Sequence, residues 1–247
     1  MLLKVLSFFM WWVMLRSIKD MSPVVRREYI AFLKSIRSEE RLARLEEVLD
    51  CRTRYFTVLL ENIWHPHNAS AVLRSCDCFG IQDVHLVDDH QVYEVNKKVT
   101  MGATKWLTLN RYYRQSSNSE RALKALKKRG YRIVATTPHE GAVSLSDFDV
   151  TGGPAAFVFG TEMTGISDTV RAMADEYLSI PMVGFTESLN ISVSVAIILQ
   201  QLGARLRASE VDWRLPAEDR ELLLLEWLRK STQRIGVVEE SFFEERG

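Results

Sequence analysis

The strongest constraint on this chain is an alternation between short, almost uninterrupted apolar runs and longer stretches with helical periodicity. The apolar runs are Tyr55–Leu60, Val84–Val87, Tyr131–Thr136, Ala155–Phe159 and Tyr177–Ile180; the helical patterns occupy roughly 67–79, 119–129, 167–174 and 190–208. A strand whose residues are all apolar, rather than alternately so, has both faces buried and needs helices above and below it. The predicted fold class is therefore α/β, a parallel sheet with helices on both faces. Gly80 and Gly130 stand where helices of this kind end in a left-handed residue, and Ser117 with Glu120 reads as a capping box. Ligands of such sheets gather at the carboxyl ends of the strands, which singles out Thr136-Thr137, Gly160-Thr161-Glu162 and Ile180-Pro181-Met182 as the lining of one crevice.

Helical extensions flank this core. Leu42, Leu45 and Leu49 keep helical spacing behind Ser38, a predicted N-cap, and a last helix is expected over Pro216–Thr232. The predicted organisation is an apolar extension at 1–20, a helical extension at 21–54, the α/β domain at 55–208 and a C-terminal helical extension at 209–247. Within the first segment, Val5–Leu15 is too short to span a bilayer and lacks a small-residue cleavage site after it. Translation is expected to begin at Met21, or the segment to lie on a surface as a helix; no stable membrane association is expected.

Lys plus Arg equals Asp plus Glu at 32 each, so net charge selects no partner. Local clusters say more. Arg26, Arg27, Lys34, Arg37, Arg41, Arg44, Arg52 and Arg54 form one, and Lys97, Lys98, Lys105, Arg111 and Arg114 another. They suit an RNA backbone, or, with Glu28, Glu39, Glu40, Glu46 and Glu47 among them, a solvated helix face. Three cysteines make no disulfide framework and fit a reducing cytoplasm. Cys76 and Cys78 point to different helix faces, and His65-Pro66-His67 lacks partners at ligand spacing, so no metal is expected.

No G-x-G-x-x-G follows a strand, and neither a Walker lysine loop nor a G-x-S-x-G elbow occurs. The segment Ile180–Leu199 instead runs from a strand end, through a loop of small and polar residues (Gly184, Thr186, Ser188, Asn190), into a helix almost without charge. Helix N-termini present unpaired backbone N–H groups, so this junction is a natural ligand cradle.

Three segments together carry a resemblance: Leu60–Arg74, with Asn68 and Arg74 six apart; Phe159-Gly-Thr-Glu-Met-Thr-Gly-Ile166; and Ile180–Ala196. In this order and spacing the chain resembles the TrmH branch of the SPOUT superfamily of RNA ribose methyltransferases, over about residues 22–232. The resemblance implies a deep trefoil knot in the C-terminal part of the sheet, S-adenosyl-methionine as cofactor and a homodimer. It also implies a cytoplasmic tRNA as substrate, methylated on a ribose 2′-hydroxyl, most similarly that of guanosine 18 in the D-loop. The same reaction on ribosomal RNA or another tRNA position, or a non-catalytic RNA-binding role, are its alternatives.

Carried over residue by residue, the catalytic set is Arg74, Asn68, Glu162, Ser188 and Asn190, and the cofactor-binding set is Thr136, Gly160, Ile180, Met182 and Leu189. Arg74 is expected to leave its helix on the same face as the Asn68 turn and reach the crevice, of its own chain or across the dimer. There it is expected to position phosphate and hydroxyl, since a guanidinium is a poor base. Asn68 either caps its helix or orients Arg74 or the ribose. Glu162 either anchors its loop or orients the arginine or substrate. Ser188 and Asn190 either cap the following helix or act at the site. The helical extensions would hold tRNA phosphates. Where the family motif often reads His-Lys-Pro-His, this chain has Trp64-His65-Pro66-His67 and so lacks the lysine.

Overall fold

The computed structural model describes residues 21–63, 65–89, 100, 102–113, 115–138 and 141–244. The apolar Val5–Leu15 run and Trp64, Lys97, Lys98 and Arg114 lie outside the described residues. Two compact units are present: residues 52–214, and the helices on either side of them in sequence, within 21–51 and 215–244.

The larger unit is the predicted parallel sheet. Its strands are β1 (Phe56–Glu61), β2 (Asp83–Val87), β3 (Thr108–Tyr112), β4 (Arg132–Thr136), β5 (Val143–Ser144), β6 (Ala155–Phe159) and β7 (Glu176–Ser179). They lie in the order β3-β2-β1-β6-β4-β7-β5, and every pairing is parallel. All residues of β1, β2 and β6 are buried, including the polar Thr57, Glu61, Asp83 and His85 among their apolar neighbours.

Successive side chains divide between two cores. Val58, Leu60, Phe157 and Phe159 pack with Val72, Leu73 and Cys76 of α3 (Pro66–Cys78) and Val195, Ile198 and Leu202 of α6 (Ile191–Arg207). Leu59, Ala156 and Val158 face the opposite side, against Leu123 and Leu126 of α4 (Asn118–Lys128) and Val170 of α5 (Asp168–Met173). Cys76 is buried and Cys78 exposed, on different faces of α3, and no disulfide joins the three cysteines.

Gly80 and Gly130 end their helices with φ of 78° and 84° as predicted. The capping box at Ser117 does not form. Ser117 itself adopts a left-handed φ of 57° and makes no capping bond. Asp89, just after β2, takes over: its carboxylate accepts from the Asn118 N–H at 3.1 Å. The half-buried edge strand β3 and the two-residue β5 escape a reading based on apolar runs, because neither carries one.

The smaller unit contains α1 (Pro23–Ser35), α2 (Glu39–Asp50), α7 (Ala217–Ser231) and α8 (Ile235–Glu244). Ser38 caps α2 as predicted, accepting from the Arg41 N–H. The helix α8, not foreseen, is fixed by buried Glu239, whose carboxylate accepts from the Tyr29 hydroxyl at 2.7 Å and pairs with Arg229 at 2.5 Å. Much of the first basic cluster is engaged internally. In this unit Arg26 is buried against Glu221, Lys34 pairs with Glu46 and Arg44 with Glu47, and Arg37 bonds Thr232 and the Leu228 carbonyl. In the larger unit Arg52 pairs with Asp77 and Arg54 with Asp83. Among the described residues no helix is long and apolar enough to cross a membrane.

Candidate active site

The carboxyl ends of the adjacent strands β6, β4 and β7 open into a cleft of about 330 Å³. Its walls bring together Thr136 and Thr137 after β4, the loop from Gly160 to Ile166 after β6, and Ile180 and Met182 after β7. Ser188, Leu189, Ile191 and Ser194, at the start of α6, complete it. All five residues expected to bind the cofactor (Thr136, Gly160, Ile180, Met182 and Leu189) therefore line one cleft, as do Glu162 and Ser188 of the catalytic set. Pro181, also assigned to this crevice, is not among the lining residues.

The loop after β6 is closed on itself. Thr161 and Gly165 exchange two backbone hydrogen bonds, of 2.9 and 3.0 Å, and the Thr161 and Thr164 hydroxyls lie 2.6 Å apart. Such a tight return needs a residue with positive φ, and Gly165 supplies it at 69°. It also brings the backbone of Gly165 over Gly160, where a Cβ would lie 2.1 Å from the Gly165 carbonyl oxygen.

Three motifs distant in sequence meet beside this loop. The Asn68 side-chain amide donates to Glu162 Oε1. The Asn190 amide donates to Asn68 Oδ1 at 3.2 Å and to Glu162 Oε1 at 3.3 Å. Asn190 also caps α6, its Oδ1 accepting from the Ser192 N–H at 2.9 Å and the Ser192 hydroxyl at 2.6 Å. Asn68, by contrast, is not a cap. His65 occupies that position in α3 without a side-chain bond, leaving the Asn68 amide free to reach Glu162. His65 Nε2 stands 4.0 Å from Glu162 Oε2.

Arg74 is placed apart. Six residues from Asn68, it is rotated about 240° around the helix axis at 100° per residue. It is exposed and does not line the cleft of its own chain. Glu187, Arg171 and Ser194 also line the cleft and were not singled out from sequence. Glu187 adjoins Ser188, whereas Arg171 shows in sequence only as one residue of a short helix. No group of three or more metal-ligating side chains occurs among the described residues.

Apolar side chains flank the cleft. Met163, Val183 and Phe185 are essentially fully exposed, at 95%, 105% and 108%, and Leu189 and Val193 partly so.

A parallel α/β unit with a cleft built from three loops at its strand ends defines the class of α/β proteins that hold a small ligand there. The chain belongs to the SpoU rRNA methylase family, whose sequence model matches residues 55–200. It is 39% identical to the tRNA (guanosine(18)-2′-O)-methyltransferase of Borreliella burgdorferi over 85% of this chain and 94% of that protein. It is also 39% identical to the enzyme of the same name from Thermus thermophilus, over 78% of this chain and 98% of that one. The crystal structure of the A. aeolicus TrmH/SpoU tRNA modifying enzyme superposes with a TM-score of 0.69 at 31% identity, covering 79% of this chain and 98% of that one.

Proposed function

We propose that this protein is an RNA 2′-O-ribose methyltransferase that uses S-adenosyl-methionine to methylate tRNA, at guanosine 18 of the D-loop. The observation that carries the reading is the meeting of Asn68, Glu162 and Asn190, one residue from each motif, at the mouth of a single cleft. Family membership and the names of its relatives support the tRNA target.

The cleft fits the cofactor. Its volume of about 330 Å³ falls within the range of small-molecule pockets, ~300–1,000 Å³. Ile180, Met182 and Leu189 offer apolar surface for an adenosine, the strand-end backbone offers hydrogen-bonding groups, and Glu162 and Glu187 suit a cationic ligand. A Cβ at Gly160 could be accommodated only by opening the loop. When bound, the cofactor supplies an electrophilic methyl group on a sulfonium centre.

What the chain contributes is placement. Holding two reactants in line is worth about 7–11 kcal/mol in favourable intramolecular cases. Asn68 and Asn190 orient the Glu162 carboxylate, and Ser188 stands in the cleft wall to receive the ribose. Arg74 binds the RNA phosphate and positions the acceptor hydroxyl. Because it does not line the cleft of its own chain and leaves its helix on a different side from Asn68, we assign it to the cleft of a second copy in a homodimer. The exposed apolar side chains Met163, Val183 and Phe185 support such a contact, since contiguous exposed apolar surface marks interaction sites. In this reading the C-terminal part of the sheet is threaded as the deep trefoil knot of the family. The smaller helical unit serves as the RNA-binding extension through its exposed cations, Arg27 and Arg41 among them, and the enzyme works in the cytoplasm.

Incubating the protein with tritiated S-adenosyl-methionine and unmodified tRNA, then mapping the product, tests the proposal. The expected product is 2′-O-methylguanosine at position 18. Label on a base, on ribosomal RNA alone, or on nothing overturns it.

A further inference from the structure

The cleft carries an uneven set of charges. Glu162 and Glu187 are its acidic lining residues, and Arg171 is the single basic one among the described residues that line it. A ligand with a sulfonium, an ammonium and a carboxylate presents the complementary set, two positive groups and one negative. Resting on the cofactor reading above, we propose that Arg171 is the anion-binding residue of the cleft and receives the carboxylate at the methionyl end of S-adenosyl-methionine.

The guanidinium is available for this. Its one ion-pair partner among the described residues, Asp168, lies at 3.8 Å and is fully exposed, a geometry that contributes little in water. Arg171 is itself 42% exposed, so an anion can reach it from the cleft.

Its platform is firmly held. Arg171 lies on the short helix α5, whose N-cap Ser167 is tied to β1 by a buried carboxylate. Glu61 accepts from the Ser167 N–H at 3.0 Å and hydroxyl at 2.7 Å, and from the Ser119 hydroxyl at 2.5 Å. At the other end the Tyr177 hydroxyl donates to the Arg171 carbonyl at 2.9 Å. A six-residue helix has little stability of its own, so these bonds set where the backbone of Arg171 stands. The same residue, Ser167, follows directly on the cleft loop, so the network fixes Arg171 and the loop together.

Calorimetric titration of the full chain with two ligands separates the carboxylate from the rest of the cofactor. S-adenosyl-homocysteine carries it; 5′-methylthioadenosine lacks the amino-acid end. Arg171→Leu is expected to weaken S-adenosyl-homocysteine on the order of 10-fold or more while leaving 5′-methylthioadenosine within about two-fold, as removal of one charge-assisted contact implies. Arg171→Lys, which keeps the charge without the fork, should recover part of the loss. Equal losses for both ligands would mean that the arginine supports only the shape of the cleft, and no loss for either would remove it from the cofactor altogether. Unchanged affinity for both, with a raised and salt-sensitive KM for tRNA, would assign it to an RNA phosphate instead. Failure of the unaltered protein to bind either compound would sink the cofactor reading itself, and this assignment with it.

Discussion

Replacing Gly160 with alanine tests the cleft at its tightest point. The added Cβ would stand 2.1 Å from the Gly165 carbonyl oxygen, 2.2 Å from its carbon and 2.4 Å from the Ile166 nitrogen. All three are backbone atoms, so no side chain can rotate out of the way. Ordinary contact would need the two segments to separate by more than about 1 Å, which the paired Thr161–Gly165 hydrogen bonds of 2.9 and 3.0 Å cannot accommodate. Breaking both costs about 1–3 kcal/mol at the usual net worth of a hydrogen bond, before any loss of packing. If the folded protein keeps the loop open, the free-energy cost of closing it falls on ligand binding. An affinity loss of roughly 5- to 150-fold for S-adenosyl-homocysteine follows. If the loop stays closed under strain, the same free energy appears as reduced stability, measurable as a lower urea midpoint. Calorimetry and urea unfolding on one preparation capture both. A variant with affinity within two-fold of the parent and an unshifted midpoint would refute the close approach on which the cleft's geometry rests.

Asn68→Ala removes the amide that donates to Glu162 and the oxygen that accepts from Asn190. Because these groups are exposed, stability should change by less than about 1 kcal/mol while methyl transfer falls by roughly an order of magnitude, checked by single-turnover kinetics beside thermal unfolding. Arg74→Ala should fold and bind S-adenosyl-homocysteine as the parent does yet lose most transfer to tRNA, because the side chain is exposed and does not line the cleft of its own chain; retained transfer would remove it from the chemistry. His85 gives a pH prediction. Burial, with a smaller push from Arg129 against the pull of Asp83, lowers its imidazole from 6.5 to about 4. Between those values the unfolded chain takes up a proton that the folded one refuses, so this contribution to stability is complete above pH 6.5, declines as pH falls, and levels off below 4. The loss amounts to about 3 kcal/mol. Urea unfolding at pH 7 and pH 4.5 should show a smaller pH dependence for His85→Phe than for the parent, and equal slopes would contradict the assignment.

The periodicity of the chain by itself determined the class of fold and most of its element boundaries. Short apolar runs alternating with helical patterns fit strands covered on both faces, and helix termini are announced by local chemistry at Ser38, Gly80 and Gly130. Strand-end logic also placed Thr136, Gly160, Glu162 and Ile180 in one crevice, and the motif match added Ser188 to it and Asn68 and Asn190 beside Glu162. Sequence could not show which groups compete for a given donor. Ser117 lost its capping role to Asp89, and Asn68 gave up a capping role for Glu162, 94 residues away. Nor could it show that Arg26 and Arg52 are enclosed in ion pairs while Arg27 remains exposed, or that Arg171 faces the cleft. Hydrogen bonds and ion pairs act over a few ångströms between residues far apart along the chain, so their partners are decided only when the tertiary structure brings them together.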